Sequence, residues 1–253
     1  MNNSIGRLVE RRPSDRRRFL TILGSATVVG SVGGVLEPRL GYAVTLTKAQ
    51  RDELTPDEII ALMKQGNERF RKGGMPTPNF IAQQKATAND QHPVAVILSC
   101  IDSRAPAELI MDLGIGDIFN SRVAGNISND DILGSMEFAC KVAGAKVVLV
   151  MGHTSCGAIK GAIDGVKLGN LTGLLAKIRP AVEATAFKGD RSSKNLAFVD
   201  AVAARNVELT IKSIRGNSAV LRDLESTSAL KIVGAMYNLQ TATVDFLGSR
   251  STG

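Results

Sequence analysis

Two apolar runs constrain this chain more than any other feature: residues 94–99 (VAVILS) and 146–151 (KVVLVM). Each has the length of a strand and, beyond its first or last residue, lacks the apolar-polar alternation of a strand with one face in water. Such runs belong to strands covered on both sides, as in a mainly parallel sheet flanked by helices. Between them lie a shorter strand candidate at 118–123 and a helix at about 130–143. Before them, Thr55-Pro56-Asp57-Glu58 reads as a capped helix start, Ile59, Leu62, Met63 and Phe70 follow at helical spacing, and Gly73-Gly74 stops the helix. After them, 171–185 and 195–215 have helical periodicity, and 230–237 and 242–247 alternate as two strands around Asn238-Leu239-Gln240. The expected fold is α/β, with a mainly parallel central β-sheet flanked by helices and an antiparallel hairpin at one edge.

The first run leads directly into Cys100-Ile101-Asp102-Ser103-Arg104 and the second into Gly152-His153-Thr154-Ser155-Cys156-Gly157. Both strings fall where the carboxyl ends of parallel strands open a crevice. Cys100, His153 and Cys156 are three ligands of the softness that suits tetrahedral zinc, with a fourth position left for water or Asp102. A closed structural zinc site is the alternative, although such sites usually complete four Cys or His ligands. Away from Cys100, Asp102 and Arg104 would read as an ordinary surface ion pair. Cys140 reads as a buried small apolar residue, His92 as a surface or hinge residue before Pro93, and Gly125 and Gly157 as turn residues. Three Cys and two His are too few for a disulfide framework.

Charge is unevenly placed. Seven Arg and three acids in residues 1–43 account for +4 of the formal +7. The rest of the chain carries no dense Lys/Arg stripe interleaved with aromatics, which argues against nucleic-acid binding. Residues 1–18 are polar and Arg-rich, 19–36 are uncharged, and Gly41-Tyr42-Ala43 offers small residues at the positions a signal peptidase reads. Asp15-Arg16-Arg17-Arg18-Phe19-Leu20 resembles a twin-arginine motif, and Gly24, Gly30, Gly33 and Gly34 dilute the apolar stretch. The expectation is a cleaved twin-arginine-type signal over 1–43, a zinc domain over 44–253, a periplasmic destination, and the twin-arginine export machinery as a partner. An uncleaved anchor and a basic targeting patch are the alternatives. Export in the folded state implies that metal is loaded in the cytoplasm, before the thiols meet an oxidising compartment.

Together with Arg122-Val123-Ala124-Gly125-Asn126, the two strings resemble the β-class carbonic anhydrases, and the likeness extends over about 55–247. That resemblance implies zinc on Cys100, His153 and Cys156, and reversible hydration of carbon dioxide to bicarbonate and a proton by a zinc-bound hydroxide. It implies that Arg104 fixes Asp102 facing the metal-bound water, and that in some members this carboxylate swings onto zinc. Gln91, in Gln91-His92-Pro93, matches an amide that reaches substrate from the neighbouring subunit. Phe119 matches an aromatic of the substrate pocket, Phe138 falls where some plant relatives carry Tyr, and Gly157 adjoins that pocket. A homodimer or dimer of dimers is implied, with the helix at about 56–72 wrapping a partner. Some bacterial relatives have an inhibitory bicarbonate site of Trp, Arg and Tyr; here Arg122 matches the Arg, but Ile97 stands at the Trp position and the chain has no Trp. The rival readings are a carbon disulfide or carbonyl sulfide hydrolase on the same scaffold and a zinc-dependent binding protein without turnover.

Overall fold

A computed structural model describes residues 45–248. The expected signal sequence therefore lies outside the described residues. The sheet is built from β1 (Ala95–Ser99), β2 (Ile118–Arg122), β3 (Val147–His153), β4 (Lys231–Tyr237) and β5 (Val244–Leu247), in the order β2-β1-β3-β4-β5. The first four strands are parallel and β5 runs antiparallel to β4. Ser99 stands level with Arg122 on one side and Met151 on the other. That register brings Cys100 and the Gly152-His153 end of β3 to the same edge of the sheet.

The helices are α1 (Lys48–Glu53), α2 (Pro56–Arg71), α3 (Phe80–Thr87), α4 (Ala107–Ile110), α5 (Asp130–Glu137), α6 (Gly157–Asp164), α7 (Gly169–Ala184), α8 (Leu196–Asn217) and α9 (Ala219–Ser226). α2 starts as the sequence predicts: the Thr55 hydroxyl accepts from the Glu58 N–H while the Glu58 carboxylate accepts from the Thr55 N–H at 2.8 Å.

All of β1 and β3 is buried, because both sheet faces are covered. Ile97, Leu149 and Met151 pack with Ile59 and Met63 of α2 on one face. On the other, Val96, Leu98, Val148 and Val150 pack with Leu133 and Met136 of α5 and Val207 and Ile214 of α8. A third cluster gathers Cys100 and Cys156 with Ile159, Ile178, Phe198 and Val202.

Two expectations are corrected. The helix expected over 130–143 is α-helical only to Glu137 and continues as a π-helical turn over Phe138–Val142, where the Ala143 N–H reaches back to the Phe138 carbonyl at 3.0 Å. The apolar spacing of Leu133, Met136, Ala139 and Cys140 records the buried face and not the hydrogen-bond step. The last strand begins at Val244 instead of 242, because Asn238 and Thr243 close a wider turn and Ala242 takes φ 58°. The helices α1, α3, α4, α6 and α9 carry no periodic signal in the sequence, because none exceeds eight residues.

Candidate metal centre

Cys100 is the first residue beyond β1, His153 is the last of β3, and Cys156 caps the start of α6. All three are buried, and one potential donor atom from each lies within 4.8 Å of the others. The two sulfurs are 3.9 Å apart, as free thiols and not a disulfide. The Thr154 carbonyl can only accept, so its 2.9 Å contact with His153 Nδ1 places the ring proton there. The lone pair on Nε2 is left bare, and Nε2 is buried without a hydrogen-bond partner. A buried nitrogen lone pair facing two thiols is costly unless a cation occupies the space between them. Two thiols and one imidazole are the donor set that zinc takes with one position open. The residues present therefore fit a zinc ion.

The electrostatics agree with that fit. Cys100 is held well below the usual thiol range, first by hydrogen bonding from Cys156 and further by the Gly125 N–H, against its own burial. Cys156 is pushed the other way by its contact with Cys100 and by burial. The pair thus shares a proton that a cation would displace.

Asp102 is gripped from one side. Arg104 donates from Nε at 2.9 Å and Nη2 at 2.8 Å, and its backbone N–H at 3.0 Å. This pairing with Arg104, opposed by partial burial, brings the Asp102 carboxyl to about 2. Its Oδ2 lies 3.7 Å from His153 Nε2, at the edge of the ligand cluster. Arg122, at the end of β2, bridges the Cys100 and Asp102 carbonyls at 2.9 and 2.6 Å. The sequence linked Arg122 only with a regulatory site; its grip on the ligand loop leaves no spacing signal because its partners lie some twenty residues away.

Of the remaining expected site residues, Gly157 adjoins a ligand, while Gln91 and Phe119 lie towards the other end of the sheet. Gln91 lies four residues before β1, whose amino end is opposite Cys100 and about 17 Å from it at the usual strand rise. Phe119 pairs with Val96, four residues short of Cys100 and about 13 Å from it along the strand. Its ring meets Phe138 edge to face, with centroids 6.1 Å apart, and Phe138 is half exposed. Gly157 opens α6 next to Cys156, with open space where a Cβ would stand. Cys140 is buried, and burial pushes its thiol up to about 12, consistent with a core residue.

A family model for carbonic anhydrase matches residues 95–244. The chain is 36% identical over 181 residues to carbonic anhydrase 2 of Mycobacterium tuberculosis, covering 70% of this chain and 86% of that protein. It is 31% identical over 185 residues to a carbonic anhydrase of Mycolicibacterium smegmatis, covering 72% and 89%. Among solved structures, the β-carbonic anhydrase CafA of Aspergillus fumigatus matches with a TM-score of 0.61 and 26% identity, over 77% of this chain and 93% of that one. A β-carbonic anhydrase of Sordaria macrospora, described as tetrameric, matches with a TM-score of 0.58 and 23% identity over 76% and 98%. With the ligand cluster at the carboxyl ends of the same parallel strands that the family model spans, the chain belongs to the carbonic anhydrase family and has the β-class fold.

Proposed function

We propose that this chain hydrates carbon dioxide reversibly to bicarbonate and a proton, at one zinc ion held by Cys100, His153 and Cys156. The observation that carries the reading is the buried, unpartnered His153 Nε2 facing two thiols beside an ionised carboxylate. Zinc, when bound, supplies the Lewis acidity that makes water nucleophilic near neutral pH. Asp102, anionic throughout the neutral range, can only accept a hydrogen bond, so a water beside it is oriented with its proton towards Oδ2 and a lone pair elsewhere. Arg104 keeps that carboxylate charged and fixes its plane through two parallel hydrogen bonds. Arg122 ties Asp102 to Cys100 through their carbonyls, so the acceptor and the ligand move together.

The active assembly is a homodimer or dimer of dimers in which Gln91, Phe119 and Phe138 serve the neighbouring subunit's centre, with Gly157 beside the chain's own. Their distance from Cys100 in the same chain supports this, as does β2, a sheet edge paired only with β1 among the described residues. An aromatic lining suits a nonpolar gas.

The direct test is stopped-flow hydration of carbon dioxide by the zinc-loaded protein, with a zinc-free control and carbon disulfide as a second substrate. Zinc-dependent hydration supports the reading; turnover of carbon disulfide alone, or none, overturns it. Residues 1–43 would carry the folded chain through the twin-arginine route to the periplasm, a reading supported by the order of Arg-rich, uncharged and small-residue segments. Replacing Arg16 and Arg17 with Lys together should trap precursor in the cytoplasm, and continued export would refute that route.

A further inference from the structure

We infer that Asp200 and Asn206 of α8 are positioning residues for the metal centre, each holding one of the two backbone loops that set a thiol ligand. The inference rests on the zinc reading above. The two thiols come from loops 56 residues apart in sequence, and neither loop is part of the sheet at the donor itself. Each needs an anchor outside the sheet, and α8 supplies both.

On the His153–Cys156 side, Ser155 sits between the ligands with φ 54°, a left-handed conformation that a residue with a Cβ adopts reluctantly. Its N–H donates to Asp200 Oδ1 at 2.7 Å. Without that acceptor the turn is free to relax towards a right-handed conformation, which would swing the Cys156 sulfur relative to His153. On the Cys100 side, the Gly125 N–H donates to Cys100 Sγ at 3.3 Å. The Gly125 carbonyl accepts from the buried Asn206 Nδ2 at 2.7 Å. Asn206 therefore fixes the residue whose amide steadies the first thiolate.

The anchors stand on a rigid support. Around them, Phe198, Val199, Val202, Ala203 and Val207 of α8 are buried, and Asn206 lies six positions beyond Asp200, about 9 Å along the helix axis. Motion of α8 would thus displace both ligand loops at once. The contacts behave as the outer hydrogen bonds of metal sites do, setting ligand direction and hence affinity.

The test is zinc affinity, measured by competition with a chromogenic chelator, together with the thiolate-to-metal absorption of the cobalt(II)-substituted protein. Asp200→Leu and Asn206→Asp should each weaken zinc binding about 10- to 100-fold and shift the cobalt spectrum. Asp200→Asn retains an oxygen acceptor and should keep wild-type affinity. Should Asp200→Leu fail to fold, Asn206→Asp, nearly identical in shape, decides the matter. Variants that melt earlier without metal yet bind zinc as tightly as wild type, with unchanged cobalt spectra, would reduce both contacts to ordinary fold hydrogen bonds and overturn the inference. Wild-type protein that binds no zinc through Cys100 would instead overturn the underlying zinc reading, before any α8 variant is compared.

Discussion

Gly125→Ala tests how tightly the loop supporting Cys100 is determined. Gly125 has φ 69° and ψ 20°, where a residue with a Cβ costs about 1–2 kcal/mol. The new Cβ would lie 2.5 Å from Ile178 Cδ1 and 3.4 Å from Ala158 Cβ. Ile178 is fully buried, so its Cδ1 must shift within the core to admit the methyl group, and overpacking adds about 1–3 kcal/mol. The combined loss is about 2–5 kcal/mol. The two causes separate cleanly, because Ile178→Val deletes the clashing Cδ1. Alone, that change should cost about 0.5–1.5 kcal/mol. Combined with Gly125→Ala it should recover the overpacking and leave the backbone cost, giving a coupling of about 1–3 kcal/mol. Denaturant unfolding of the metal-free protein at one fixed concentration measures the cycle. Additivity within about 0.5 kcal/mol would show that the Ile178 contact is not the cause. A Gly125→Ala cost below that size would show that the loop is not held as described.

Asp102→Asn keeps the side chain's shape but loses the anionic acceptor, so kcat/KM should fall about 10²-fold with zinc content unchanged; wild-type kinetics would reduce the Asp102–Arg104 pair to scaffold. Bicarbonate should inhibit without cooperativity, because Ile97 is fully buried and Arg122 already donates to the Cys100 and Asp102 carbonyls; cooperative inhibition with bicarbonate bound at Arg122 would contradict this. After chelator treatment, iodoacetamide at mildly alkaline pH should alkylate Cys100 well before Cys140. The first thiol is shifted towards thiolate and the second is pushed up to about 12, so the reverse order in peptide mapping would refute those shifts.

The parts legible in the sequence were those written in local pattern. Residues 94–99 and 146–151 declare two-sided burial, and each run is followed within two residues by a ligand, so the sheet's core and the Cys100–His153–Cys156 cluster follow from adjacency along the chain. The short helices α1, α3, α4, α6 and α9 do not repeat often enough to show a period. The π-helical turn at Phe138–Val142 changes the hydrogen-bond step while leaving the buried face in place. Arg122, Asp200 and Asn206 act on partners 20 to 81 residues away, which no spacing rule connects. Resemblance alone picked out Gln91, Phe119 and Phe138, because no local pattern along the chain ties them to ligands carried at the far ends of β1 and β3.

Zinc K-edge X-ray absorption on the purified wild-type protein, with zinc and protein quantified on the same sample, tests the metal centre most directly. The prediction is about one zinc per chain with two sulfur neighbours at about 2.3 Å and the remaining nitrogen or oxygen neighbours at about 2.0–2.2 Å. Cys100→Ser should lose both the metal and carbon dioxide hydration. A wild-type shell without sulfur, or full hydration by a demonstrably zinc-free Cys100→Ser protein, would contradict the assignment of Cys100, His153 and Cys156 as the catalytic metal site.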